Sequence, residues 1–398
     1  MSTVMLPENY PQYFSRAHGA HVWDADGNRY LDLMCAFGPN LLGYGHEAVD
    51  HAFAEQLARG DIAPGPSPLM VELAERFVAM VPHASWAMFC KNGTDATTIA
   101  LMAARAHTAR RGLIRCVGSY HGSAPWCTPN PQGTIAEDRA HQFSCTYNDV
   151  ASLEAALRSA GGDLAAIIVT PFCHDVFRDQ ASVEQDFAQR LRAACDQRGA
   201  VLILDDVRAG LRLARGTSWE SLGVQPDLSC WGKSIANGHP ISAVLGAEKF
   251  RQAASSIYVT GSYWYAAAPM AAAIETLRLV RETDYLEQIQ RIGARLRSGL
   301  AAAAERHGFG FRQTGPVQMP LFLFDDDPDL RRGMCWASEM LERGVYVHPW
   351  HNMFLCSAVT EADVDFAVQA AEGAFTALRS QLPVLEPHPR IKALMSAR

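Results

Sequence analysis

AVLILDDVRAGLR, residues 200–212, is a run of five apolar residues that ends abruptly in two aspartates. A strand that is apolar at every position has no face to offer water. It belongs inside a sheet covered on both sides, as parallel strands are. Charges directly after such a run fall at the carboxyl end of the strand, where ligands gather in open parallel sheets. One of Asp205 and Asp206 could there hold a cationic ring nitrogen or a metal. A helix cap or a solvated strand end would account for them equally well.

The surrounding sequence repeats the theme. Apolar strand-like segments SWAMFC (85–90), LIRCVG (113–118) and AAIIVTP (165–171) precede the quoted run. Helical spacing of apolar residues falls between them, at 94–111, 149–160 and 183–198. Alternation of this kind predicts βα units around a mainly parallel sheet. Helices are also expected over 46–59, 68–80, 269–283 and 285–307.

Both ends differ in character. AHGAHVWDADGNRYLDLMC (17–35) reads as a hairpin about Asp26-Gly27-Asn28. After residue 307 the pattern is strand (317–325), helix (330–343), strands (344–349 and 353–358) and a last helix starting at 360–363. This predicts an N-terminal segment (1–45) packing with a small α+β domain (291–398), and a large α/β domain over 46–290.

Composition narrows the classes. A net charge of −7 lacks the basic face that nucleic acids and anionic membranes select. No uninterrupted apolar run spans a bilayer, and MSTVMLPENYPQYF has no signal-peptide pattern. The ten cysteines form no CxxC pair, and most sit in apolar runs. They read as buried thiols of a reducing compartment, the cytoplasm. His18, His21, His46 and His51 are dispersed and read as structural; no HxxxH-type pair supports a metal.

Three further stretches carry chemistry. In KNGTDATTIA (91–100), Gly93 and Thr94 stand between a strand and a helix start. The free N–H groups of a first helical turn suit a phosphate there, although Asn92 or Thr94 could simply cap the helix. GSYHGSAPW (118–126) ends another strand, and its Tyr120 could stack on a planar ligand or belong to an ordinary loop. DLSCWGKSIANGHP (227–240) holds Lys233, one of only four lysines, with Lys91, Lys249 and Lys392. Lys392 lies in a terminal tail, Lys249 follows Ala247-Glu248 in a stretch expected to be an exposed helix, and Lys91 lies beside the anion turn. Arginine stays protonated, so a nucleophilic amine must be lysine, and Trp231 and Ile235 would desolvate it.

A phosphate turn, a stacking aromatic, a strand-end aspartate and a lysine are together the parts that hold pyridoxal 5'-phosphate (PLP). The lysine would bind the aldehyde, and the aspartate would keep the pyridine nitrogen protonated.

With these residues in view, the chain resembles the class III aminotransferases of the fold-type I PLP enzymes, and within them the glutamate-1-semialdehyde 2,1-aminomutases. HVWDADGNRYLDL, FGPNLLGYGH, NGTDAT, GSYHG, TYNDVASL, LILDDVRAGLR, PDLSCWGKSIANGHPISAVLG and GVYVHP fall in family order, from about Phe14 to the last helix. The resemblance implies a Schiff-base role for Lys233 and a pyridine-nitrogen contact for Asp205. It implies Val207 and Tyr120 on the two ring faces, with His121 and Arg208 also at the cofactor and Gly93 and Thr94 at the phosphate. Gly261 and Ser262 would reach the phosphate of a neighbouring subunit, so it also implies a homodimer with shared sites.

Several positions depart from the family pattern. Asp206 stands where glutamate is usual, and Thr170-Pro171 replaces Glu-Pro. Trp264-Tyr265-Ala266-Ala267 replaces a Ser-Gly-Asn-Pro segment, and Arg208 replaces glutamine or methionine. The 126–143 stretch and the N-terminus are shorter than in the aminomutases, and the turn 238–240 is less glycine-rich. The expected reaction is transamination of a small amino acid or primary amine, with a keto-acid acceptor. Aminomutase, racemase or epimerase, decarboxylase and lyase chemistry are the alternatives. Arg208, Arg212 and His174 are candidate substrate or anion contacts. Trp126, Tyr263, Trp264 and Trp350 could line the pocket, or belong to the core or a dimer contact.

Overall fold

The computed structural model describes residues 5–174 and 178–391. Lys392 and the first four residues of the N-terminal segment lie outside them. The described residues divide into two compact units, one of 47–174 and 182–283, the other of 5–46, 178–181 and 284–391.

The larger unit is built on a seven-stranded sheet. Its spatial order is Trp86–Cys90, Ser242–Gly246, Leu228–Trp231, Val201–Asp205, Leu164–Val169, Gly112–Cys116 and Gln142–Cys145. The central strands are buried along their whole length, which is why they read as unbroken apolar runs. One face is covered by the helix Gly93–Thr108, through Ile99, Ala100, Ala103 and Ala104. The other is covered by Val150–Ala160 and Gln185–Arg198, through Leu153, Leu157, Phe187 and Leu191.

Two strands of this sheet lie outside the segments that residue order marks as strands, which include Leu228–Trp231. Gln142–Cys145 is a parallel edge strand beside Gly112–Cys116. Ser242–Gly246 is antiparallel to both of its neighbours. No helix separates it from Leu228–Trp231, only the Lys233 turn, and so short a connection must reverse the chain. The helix expected over 94–111 stops at Thr108, where Ala109 adopts a left-handed backbone (φ 54°).

In the smaller unit, His21–Asp24 and Arg29–Asp32 form the expected hairpin. The Asp24 carboxylate closes its turn by accepting from the Asp26 and Asn28 amides, at 3.0 and 2.8 Å, and from the Tyr30 hydroxyl. Val345–Tyr346 joins that sheet in parallel. Tyr10 ties the N-terminal segment in, donating its hydroxyl to the Val347 carbonyl at 2.7 Å. Helices run over Tyr285–Arg306, Arg331–Glu342 and Glu361–Gln381. The last is capped by the Thr360 hydroxyl, which accepts from the Asp363 amide.

One expectation is corrected here. Residues 353–358 are not a strand. Met353 and Leu355 donate to Pro320 and Gln318, while Phe354 and Ser357 donate to Leu33 and Leu41. The segment threads between different partners, and no single ladder grows long enough to be a strand. All ten cysteines are free thiols, nine of them buried. Among the described residues no helix is long and apolar enough to cross a membrane.

Candidate active site

The chemistry-bearing residues of the larger unit meet at the carboxyl ends of its parallel strands. Asp205 ends its strand in register with Cys230, so Lys233 stands three residues beyond the same level of the neighbouring strand. Adjacent strands thus deliver the carboxylate and the amine to one edge of the sheet.

Asp205 is buried and accepts from the Val207 amide at 3.2 Å. His121 Nδ1 lies 2.7 Å from its other oxygen. An ionised carboxylate only accepts, so beside the charged form Nδ1 carries the hydrogen. The His121 Nε2 is buried and has no hydrogen-bond partner among the described residues. The ring is held from behind, because the Thr97 hydroxyl donates to the His121 carbonyl at 2.7 Å. The family resemblance groups His121 with the cofactor contacts, but nothing in the residue order pairs it with Asp205, 84 positions away.

Lys233 opens a short helical turn with a left-handed backbone (φ 47°). Burial of the amine, and then the positive charges of Arg208 and Arg212, draw its pKa down to about 7, with Asp205 opposing. The amine is therefore largely uncharged at mildly alkaline pH, as a nucleophile requires. Burial also draws Arg208 down to about 10, against the pull of Asp205 and Tyr120. His174 is buried at the same cluster. Burial first, and then Arg208, His121 and Lys233, hold its imidazole well below the usual range and so keep it neutral.

Of the other two described lysines, neither competes for this role. Lys91 donates to the Pro240 carbonyl at 2.9 Å, and Lys249 pairs with Asp227 at 2.8 Å. Asp206 points elsewhere than Asp205: it accepts from the amide and the hydroxyl of Ser218. Its burial raises the carboxyl to about 7, with the Ser218 bonds opposing and the charge of Asp205 adding. Nothing in the residue order marks Ser218 as that partner.

The Gly93–Thr94 turn opens the helix Gly93–Thr108. Neither Asn92 nor Thr94 caps it in the ordinary way. Asp95 reaches back to the Asn92 amide at 2.9 Å, and Thr94 Oγ1 accepts from the Ser123 amide at 3.1 Å. That leaves the first N–H groups of the helix at the sheet edge, as an anion site needs. The packing admits no larger residues. A Cβ on Gly93 would come within 2.7 Å of Val207 Cγ1, and one on Gly122 within 2.5 Å of Thr94 Oγ1.

Tyr120 is 45% exposed at the end of the neighbouring loop. Gly261 and Ser262 lie on a different turn and make no hydrogen bond with Lys233, Asp205 or the Gly93–Thr94 turn among the described residues. Gly261 packs on its own Trp264, and Ser262 is exposed. Trp126 and Trp350 are buried with their indole N–H groups committed, to Thr98 Oγ1 and the Met5 carbonyl. Both belong to the core.

This set fits pyridoxal phosphate in kind. It offers an amine for the aldehyde, a buried carboxylate for the ring nitrogen, a free N–H turn for the phosphate, and glycines where backbone approaches closely.

The comparisons agree. The class III aminotransferase family model matches residues 6–360. The aminopentol aminotransferase of Sphingopyxis macrogoltabida is 54% identical over 396 residues, covering 100% of this chain and 94% of that protein. The glutamate-1-semialdehyde 2,1-aminomutase of Desulforamulus reducens is 32% identical, covering 92% of this chain and 91% of that protein. Among solved structures, the PLP internal aldimine form of the FumI protein of Sphingopyxis sp. MTA144 superposes with a TM-score of 0.97 at 54% identity, over 98% of this chain and 94% of that one.

Proposed function

This chain belongs to the class III aminotransferase family, and from that premise we propose how its own residues divide the work. The protein is a fold-type I PLP enzyme that transaminates an amine. When bound, the cofactor supplies an aldehyde for the amino group and a ring that stabilises negative charge at the amine-bearing carbon.

Lys233 Nζ would be the amine that bonds the aldehyde, and as a free amine with a pKa near 7 it is suited to take and pass on the proton of the substrate's amine-bearing carbon. Asp205 would hold the pyridine nitrogen, with His121 orienting Asp205. Gly93 and Thr94 would hold the phosphate, with Val207, Tyr120 and Arg208 as the ring's other contacts. The observation that carries this assignment is the lowered amine of Lys233 beside the buried His121–Asp205 pair.

The substrate proposed is a primary amine of the aminopentol kind, with a keto acid as acceptor. The support is a relative of that name, 54% identical along the whole chain. The reading also includes a homodimer in which Gly261 and Ser262 reach the partner's phosphate. The exposure of Ser262, with that of Tyr258 (88%) and Tyr263 (67%), supports it. Ten free thiols support a reducing compartment, the cytoplasm.

The test is a panel of amines, hydroxylated amines and amino acids incubated with and without keto acids. Carbonyl product that forms only with stoichiometric acceptor supports transamination. Product formed without acceptor favours the aminomutase alternative. Lys233→Ala should lose the long-wavelength absorbance of the cofactor and at least about 10³ in kcat; retention of both would remove Lys233 from the mechanism.

A further inference from the structure

We propose that His239 is a positioning residue for Lys233, clamping the strained turn that carries the amine onto the helix Glu47–Arg59. The proposal rests on Lys233 being the reacting amine.

The turn is strained. Lys233, Asn237 and Gly238 all have left-handed backbones, with φ of 47°, 43° and 100°. Non-glycine residues hold such conformations only where the surroundings over-determine them. Within it, Ile235 donates to Gly232 at 3.3 Å, Asn237 to Ser234 at 3.3 Å and His239 to Ala236 at 3.1 Å. At the near end, the Ser234 hydroxyl donates to the Gly210 carbonyl at 2.7 Å.

At the far end the His239 side chain makes two contacts. The His239 ring stacks on Phe53, with centroids 4.2 Å apart and planes 14° from parallel. Its Nε2 lies 2.9 Å from Asp50 Oδ1. Asp50 and Phe53 are three residues apart on one helix and so share a face. Stacking sets the plane of the imidazole, and the edge contact sets its rotation within that plane. The next residue is fixed as well, because the Pro240 carbonyl accepts from Lys91 Nζ at 2.9 Å. A rigid helix therefore defines where the turn ends, six positions after Lys233. Small displacements of a reacting group cost large factors in rate, so a clamp at this point acts on the chemistry without touching it.

The test uses the cofactor-loaded enzyme and two readouts, amide exchange over 232–240 and steady-state kinetics. The variants are His239→Ala, His239→Gln (donor kept, stack lost), His239→Phe (stack kept, donor lost) and Asp50→Asn. In His239→Ala, exchange over 232–240 should rise about tenfold with the helix Gly93–Thr108 unchanged. Its kcat should fall about fivefold while KM stays within about twofold. His239→Gln, His239→Phe and Asp50→Asn should fall between it and the parent. Exchange that rises throughout the unit, or a kcat within about twofold of the parent in all four variants, overturns the proposal. The exchange readout does not depend on which amine is the substrate. Failure of the Lys233 assignment shows instead as retained absorbance in Lys233→Ala.

Discussion

His121 Nδ1 lies 2.7 Å from Asp205 Oδ2, with both side chains buried. The pair brings together the loop after the strand Gly112–Cys116 and the end of Val201–Asp205, which are not neighbours in the sheet. A buried carboxylate without a partner is costly, and the imidazole supplies that partner while fixing the direction in which the carboxylate faces.

Replacing Asp205 with Asn keeps the shape and removes the charge. We expect kcat to fall by about 10² or more, the scale of losing a preorganised charge. His121→Phe should cost about tenfold in kcat and about 1–3 kcal/mol in stability, because Asp205 loses its partner. Steady-state kinetics with urea titration measures both. An Asp205→Asn enzyme of parental rate would separate this carboxylate from the chemistry.

The amine of Lys233 links stability to pH. Its folded pKa, about 7, lies below the ordinary lysine value of about 10.4. Between those values the unfolded chain binds more protons than the folded one, so stability from this group rises with pH over about 7 to 10. The contribution is lost as pH falls through 7. In cofactor-free protein, Lys233→Met should remove that slope from the urea midpoint. A slope unchanged by the substitution would contradict the lowered pKa.

Arg208 is one of the cations that lowers that amine. Arg208→Gln should move the pH midpoint of Lys233 acylation by acetic anhydride upward in cofactor-free protein. A midpoint that stays in place, or falls, would count against an electrostatic role for Arg208 on the amine.

Asp206 acts in the opposite sense. Its folded carboxyl, raised to about 7, binds a proton that the unfolded chain has released. Stability from this group is complete below about pH 4 and lost as pH rises through 7. Asp206→Asn should flatten the urea midpoint over that window. An unaltered profile would place the titrating group elsewhere.

Gly122 has φ 123°, and an added Cβ would stand 2.5 Å from Thr94 Oγ1. Gly122→Ala should destabilise the protein by about 2–3 kcal/mol. It should also weaken PLP binding, because it displaces the Thr94 hydroxyl at the anion turn. Urea titration and an equilibrium titration with the cofactor test the two parts. Parental values in both would show that the loop yields without disturbing Thr94.

Legibility in the sequence followed the range of the interaction. The central strands declared themselves because burial on both faces leaves no polar position in Leu164–Val169 or Val201–Leu204. Lys233 stood out because lysine is scarce and arginine cannot replace it chemically. The strand Ser242–Gly246 escaped because SAVLG is short and follows a turn rather than a helix. The extended segment 353–358 reads as a strand but is not one, because apolar alternation reports burial, not which neighbour takes each amide.

Residue order by itself determined the α/β class and the placement of Asp205 at a strand end, and it singled out Lys233 as the candidate amine, because each follows from local periodicity or intrinsic chemistry. Only the tertiary structure decided that His121 pairs with Asp205, that Asp206 turns to Ser218, and that His239 docks on Asp50 and Phe53. Those contacts join residues 84, 12, 189 and 186 positions apart. Their geometry is set by strand register and helix packing, which no local pattern of residues encodes.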